Sequence, residues 1–180
     1  AKESTTPLPG YQAEFERALS KFEALLGIPL HSVTRQEFSR ATVAHAILFS
    51  RSYAQARALI TSGVSPSFLI GLRLGEYTAA AIAGVMSLDD AVQCVVGRAR
   101  LVESCPAGGM LGVFCPDETL EKLMIGSGLC LAARNGHALS TLSGTEEAID
   151  RFQDLLSEEG WAWQRLPSAH PYHHQELLAP

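Results

Sequence analysis

The stretch SFLIGLRLGEYTAAAIAGVMSLDDAV, residues 67–92, decides the fold. Ser67 to Ile70 is a short apolar run, the pattern of a buried parallel strand. It leads through Gly71-Leu72-Arg73-Leu74-Gly75 into an alanine-rich segment that should be a helix ending near Gly84. Strand, tight glycine turn and helix form the layout of a nucleophile elbow. There, small residues two positions either side let the backbone approach itself and lift the central side chain to the helix start. The central residue here is Arg73, whose guanidinium stays protonated and cannot attack a thioester. Ser87-Leu88-Asp89-Asp90 then reads as a capped helix start, the acids facing the positive helix end.

Working outward, Tyr11 to Leu26 carries Phe15, Ala18, Leu19, Phe22, Leu25 and Leu26 at three- and four-residue steps, an amphipathic helix closed by Gly27 and Pro29. A second helix is expected over Phe38 to Ser62, buried on more than one side and ended by Gly63. Beyond Gly108 the rhythm changes. Met110–Phe114, Leu129–Ala133, Leu139–Leu142 and Trp161–Leu166 read as strands; Asp117–Met124 and Thr145–Glu159 read as helices. That order, β-α-β-β-α-β, is ferredoxin-like. Trp161 and Trp163 alternate on the last strand and should pack on one face.

The sequence has 180 residues, 47% of them hydrophobic, enough for a substantial core, and a net charge of −5. Lys and Arg form no run, so nucleic acid and membrane are not expected partners. No apolar stretch is long enough to cross a bilayer. The four cysteines, Cys94, Cys105, Cys115 and Cys130, lack ligand spacing and read as free buried thiols of a cytoplasmic protein. His170, His173 and His174 lack the acid or further histidine that zinc usually takes. No metal and no cofactor are expected.

Several segments in order resemble the acyltransferase domains of polyketide synthases and malonyl transferases. Residues 67–92 resemble the strand, GHSLGE turn and helix of that family. VVGRARLVES (95–104) resembles its arginine helix, PAGGMLGV (106–113) and AARNGHALSTLSG (132–144) its small subdomain, and LPSAHPYHH (166–174) its histidine segment LPVSHAFHS. The resemblance spans about residues 11–178. It implies an α/β-hydrolase-like layer with an inserted ferredoxin-like subdomain, incomplete at both ends: no GQGSQ-like segment, source of an oxyanion-hole glutamine, precedes the first helix, and the later helix and strand do not follow Pro180. The implied division is linker 1–10, large subdomain 11–107, small subdomain 108–167 and a return to the large subdomain at 168–180.

The same resemblance implies the roles. Arg73 stands where the serine nucleophile belongs, with Leu72 in place of the preceding histidine. His173 is a relic general base, and Tyr172 replaces the usual phenylalanine. Arg98 is the residue that pairs with a malonyl carboxylate, and Gly71, Leu72, Gly75 and Tyr172 line the substrate site. Thr78 would point away from the elbow, and Ser168 has no elbow of its own. The expected function is a degenerate domain that does not self-acylate and serves as a structural or docking module. The alternative is a non-covalent site for malonyl or acyl thioesters or their carrier protein, or an altered decarboxylase or hydrolase using Arg73, Arg98 and His173. Expected partners are an acyl carrier protein or neighbouring synthase domains, with self-association as a further means of covering an open sheet edge.

Overall fold

The computed structural model describes residues 8–34 and 36–174. The expected linker therefore lies outside the described residues as far as position 7, and the expected return segment beyond 174. The fold is mixed α/β. Its contacts divide it into two units, Ala1–Leu101 and Val102–Pro180.

The first unit is helical. Helix α1 (Tyr11–Leu26) forms where the apolar stripe calls for it and ends at Gly27, whose φ of 71° is a left-handed cap and whose N–H donates to Glu23 O. Helix α2 (Ala41–Thr61) starts later than expected, because Glu37–Ser39 forms a 3-10 turn first. Glu37 turns back onto Thr34 there: Thr34 N donates to its carboxylate at 2.7 Å and Thr34 Oγ1 at 2.8 Å. Those bonds hold the Glu37 carboxyl below its ordinary pKa. The alanine-rich helix α3 (Gly75–Ile82) and helix α4 (Leu88–Glu103) follow. Asp90 N donates to Ser87 Oγ at 3.1 Å, the cap the sequence implies.

Phe22 of α1 meets Phe49 of α2 edge-on, centroids 5.6 Å apart, and Val92, Val95 and Val96 of α4 join the same buried cluster. Burying each such side chain contributes about 1.5–3 kcal/mol, so three helices share one core.

The expected strand at Ser67–Ile70 does not form a ladder. Ser67 sits in a bend, the residues after it pair with no strand among the described residues, and Phe68 and Ile70 stand 88% and 95% exposed. The physical reason is that a strand is a pairing, and among the described residues none lies beside it to take its N–H and C=O groups.

The second unit holds one antiparallel sheet in the order β2-β3-β1-β4. Its strands are β1 (Gly109–Phe114), β2 (Cys130–Gly136), β3 (Leu139–Gly144) and β4 (Ala162–Arg165), with α5 (Asp117–Leu123) after β1 and α6 (Glu146–Glu158) after β3. Central β1 sets Leu111 opposite Leu142 of β3 and Val113 opposite Trp163 of β4. This is the ferredoxin-like arrangement. Leu111, Val113 and Leu142 pack with Ile149, Phe152 and Leu156 of α6. Thr145 caps α6, its Oγ1 accepting from Ala148 N at 3.2 Å. Trp161 packs on this core, whereas Trp163 is more than a third exposed and donates from Nε1 to Ser157 Oγ.

The expectation of four buried thiols is corrected. Only Cys115 is buried; Cys94 is exposed and Cys105 and Cys130 are half-buried. Cys94 follows Gln93 on the outer side of α4, whereas Val92, Val95 and Val96 take the inner side.

Candidate functional site

Arg73 has φ 57°, the left-handed region that L residues avoid. The turn imposes it. The chain leaves Leu72, whose carbonyl accepts from Gly75 N at 2.9 Å, and reverses into α3 within three residues. Arg73 O accepts from Glu76 N at 3.2 Å and Leu74 O from Tyr77 N at 3.2 Å, so the first helical amides are already engaged. The reversal presses the chain onto itself at Gly71: a Cβ there would lie 2.3 Å from Glu76 N and from the carbonyl carbon and oxygen of Gly75. Gly71 is thus required sterically. Gly75 is not, since a Cβ on it meets nothing within 4 Å. Arg73 and Leu72 are exposed. The local geometry is that of an elbow, with a guanidinium at its apex.

A cleft of about 270 Å³ lies against this turn, lined by Leu69, Gly71, Leu72, Gly75, Thr78 and Ile82 among others. Thr78 is buried, and its Oγ1 makes no hydrogen bond. Sequence reading dismissed Thr78 as a nucleophile, and the fold gives it no base: nothing bonds the hydroxyl to draw off its proton.

Arg98 lies half-buried on α4, facing α2. Its Nη1 is 3.4 Å from Nδ1 and 3.5 Å from Nε2 of His45, a buried residue of α2. Sequence reasoning missed His45. The signal available was a polar ring set between Val43 and Ala46 in a helix otherwise committed to the core.

His173 lies in the second unit with φ 61°, again left-handed, and is exposed. The loop that carries it is tied to the sheet. Leu166 N donates to Met110 O at 2.9 Å and Gly108 N to Ala169 O at 3.2 Å. Gly108 has no room for a side chain, because a Cβ would lie 2.5 Å from Gly144 O and 2.8 Å from Pro171 Cγ. Tyr172 N donates to His170 O and Ser168 Oγ donates to the same carbonyl at 2.7 Å. The two histidines beside His173 in sequence are drawn in rather than left on the surface. His174 is buried, its Nε2 3.4 Å from Gly128 O, and His170 Nδ1 is enclosed without a hydrogen bond. Pro171 between them is also buried. Among the described residues no group of three or more His, Cys, Asp or Glu is placed to hold a metal.

The fold therefore assembles Gly71, Leu72, Arg73 and Gly75 at one turn and Arg98 with His45 in the first unit. Tyr172 and His173 share one loop in the second.

Residues 8–176 match the family described as acyl transferase domain. The polyketide biosynthesis acyltransferase homolog BaeD of Bacillus velezensis is 38% identical over 76% of this chain and 43% of its own length. The phenolphthiocerol synthesis polyketide synthase type I Pks15/1 of Mycobacterium marinum is 34% identical over the whole of this chain and 9% of its own. Among solved structures, the acyltransferase domain of SpnD in complex with 2-(pent-4-yn-1-yl)malonyl superposes with a TM-score of 0.80 at 35% identity, over 93% of this chain and 41% of that one. The chain thus spans less than half the length of each of these relatives.

Proposed function

Because this chain belongs to the acyltransferase-domain family that polyketide synthases carry, we propose that it is a member that does not acylate itself and acts as a structural or docking module of such a synthase. The observation that carries this reading is Arg73 in a left-handed conformation at the apex of a tight turn closed against Gly71. In a working relative the apex residue attacks the thioester, and a histidine takes its proton. A guanidinium has no lone pair to offer at any physiological pH. Loss of the nucleophile from a serine–histidine pair costs on the order of 10⁶ in rate. A base such as His173 has nothing to activate without it. Acyl carrier protein and neighbouring synthase domains are the partners this reading names, and the cytoplasm is its place of action. Among the described residues no helix is long and apolar enough to cross a membrane.

The test is the mass of the intact chain after incubation with malonyl-coenzyme A, beside an Arg73→Ser variant that restores a hydroxyl at the same apex. The native chain should gain no acyl mass. A stable adduct on it would sink the reading, and peptide mapping would name the nucleophile.

A second reading is favoured by one observation: Arg98 is half-buried against a buried imidazole rather than spread on the surface. In this reading the chain holds a carboxylate-bearing acyl thioester without a covalent step, and Arg98 reads the carboxylate. Docking alone survives Arg73→Ala and Arg98→Ala; thioester binding does not survive Arg98→Ala.

A further inference from the structure

We propose that His45 is the positioning residue for Arg98, setting the plane in which its guanidinium meets a carboxylate; this rests on the reading of Arg98 as the carboxylate-binding residue. His45 is 7% exposed, on the face of α2 whose neighbours Val43, Ala46 and Phe49 build the core. A polar ring buried at that depth is costly unless it is paired. Arg98 faces it from α4, with Nη1 3.4 Å from one ring nitrogen and 3.5 Å from the other. A hydrogen bond to an imidazole nitrogen runs in the ring plane, along that nitrogen's lone pair. The near-equal distances instead place Nη1 over the ring face, so the guanidinium packs on the flat of the imidazole.

The consequence is geometric. A guanidinium binds a carboxylate through two parallel hydrogen bonds, which demands a fixed rotation of its plane. An arginine on a helix surface spins about its last bonds and loses that advantage. Here the plane is steered from a neighbouring helix whose own side chains are locked in the core. The distances are long for hydrogen bonds, so the contact orients more than it holds.

The experiment compares malonyl-coenzyme A with acetyl-coenzyme A by titration calorimetry on the full chain. The native chain should prefer the malonyl form, and Arg98→Ala should abolish the preference. His45→Leu, which removes the flat ring, should weaken malonyl-coenzyme A binding about tenfold and leave acetyl-coenzyme A unchanged. His45→Phe, which keeps a flat ring, should stay within roughly threefold. If Arg98→Ala abolishes the preference and His45→Leu keeps it, the positioning role is overturned while the reading of Arg98 stands. A preference that is absent, or that survives Arg98→Ala, removes that reading and this inference with it. Should His45→Leu not fold, the Arg98 Nε–Hε signal in nuclear magnetic resonance decides. A sharp cross-peak in the native chain, retained in His45→Phe, supports positioning, and a rotationally averaged one overturns it.

Discussion

Gly71 and Gly75 flank the same apex under different constraints. Gly71 has backbone 2.3 Å from where its Cβ would be, and backbone cannot yield as a flexible side chain can. Gly71→Ala should cost on the order of 3 kcal/mol in urea unfolding, among the larger single-residue losses. Gly75 opens α3 with free space around it, so Gly75→Ala should stabilise by about 0.5 kcal/mol, because alanine loses less freedom in a helix. Equal effects would mean that the turn is looser than described. The contrast also marks what was legible at this scale. The GxRxG spacing, the alanine run and the histidine segment all stand in the sequence. His45 does not stand out there, because its meaning depends on α4 bringing Arg98 alongside, and no local pattern encodes a contact across 53 residues. Thiol chemistry follows the same logic. Burial pushes the Cys115 thiol above its ordinary pKa and so holds it neutral, whereas Cys94 is open to solvent. Alkylation by iodoacetamide at neutral pH should reach Cys94 first and leave Cys115 unmodified until the chain unfolds. Early labelling of Cys115, read by peptide mass, would contradict its burial.

Elements differ in how far they can be read alone. Helix α6 carries its instructions locally: a threonine cap, two acids in the first turn, and Ile149, Phe152 and Leu156 on one face. Thr145→Ala should therefore cost about 1 kcal/mol in chemical denaturation; no change would show that Ala148 N finds another acceptor. The ferredoxin-like order was legible for the same reason, since each of its strands is bounded by turns and pairs with others in the same stretch of chain. Residues 67–70 were misread because a strand's apolar pattern states what it would bury, not whether neighbours exist to pair with it. The start of α2 was misread for a smaller reason: the Thr34–Glu37 bonds favour a tight turn over the regular helix that Phe38 suggests. Aligned propensity and tertiary context gave agreement in α1, and their conflict accounts for the errors elsewhere.

At the scale of the whole molecule, two cores are built from separate stretches of chain, one around Phe22 and Phe49, the other around Leu111 and Phe152. Leu111→Ala should cost about 2–5 kcal/mol in its own unit. Hydrogen exchange should show faster exchange across β1, β3 and α6 with α1 and α2 unchanged; protection falling everywhere at once would mean that the two cores unfold together. The bare run through Phe68 and Ile70 has a different consequence. An endoprotease takes its substrate as an extended strand, adding it to its own sheet edge before cutting. Most folded chains must first melt locally to offer one. This chain presents a run already outside any helix or ladder, with an aromatic side chain 88% exposed within it. A specific nick beside Phe68 would sever α1 and α2 from α3 and everything after it, and any partner that holds this segment would be recognised by the cut it prevents.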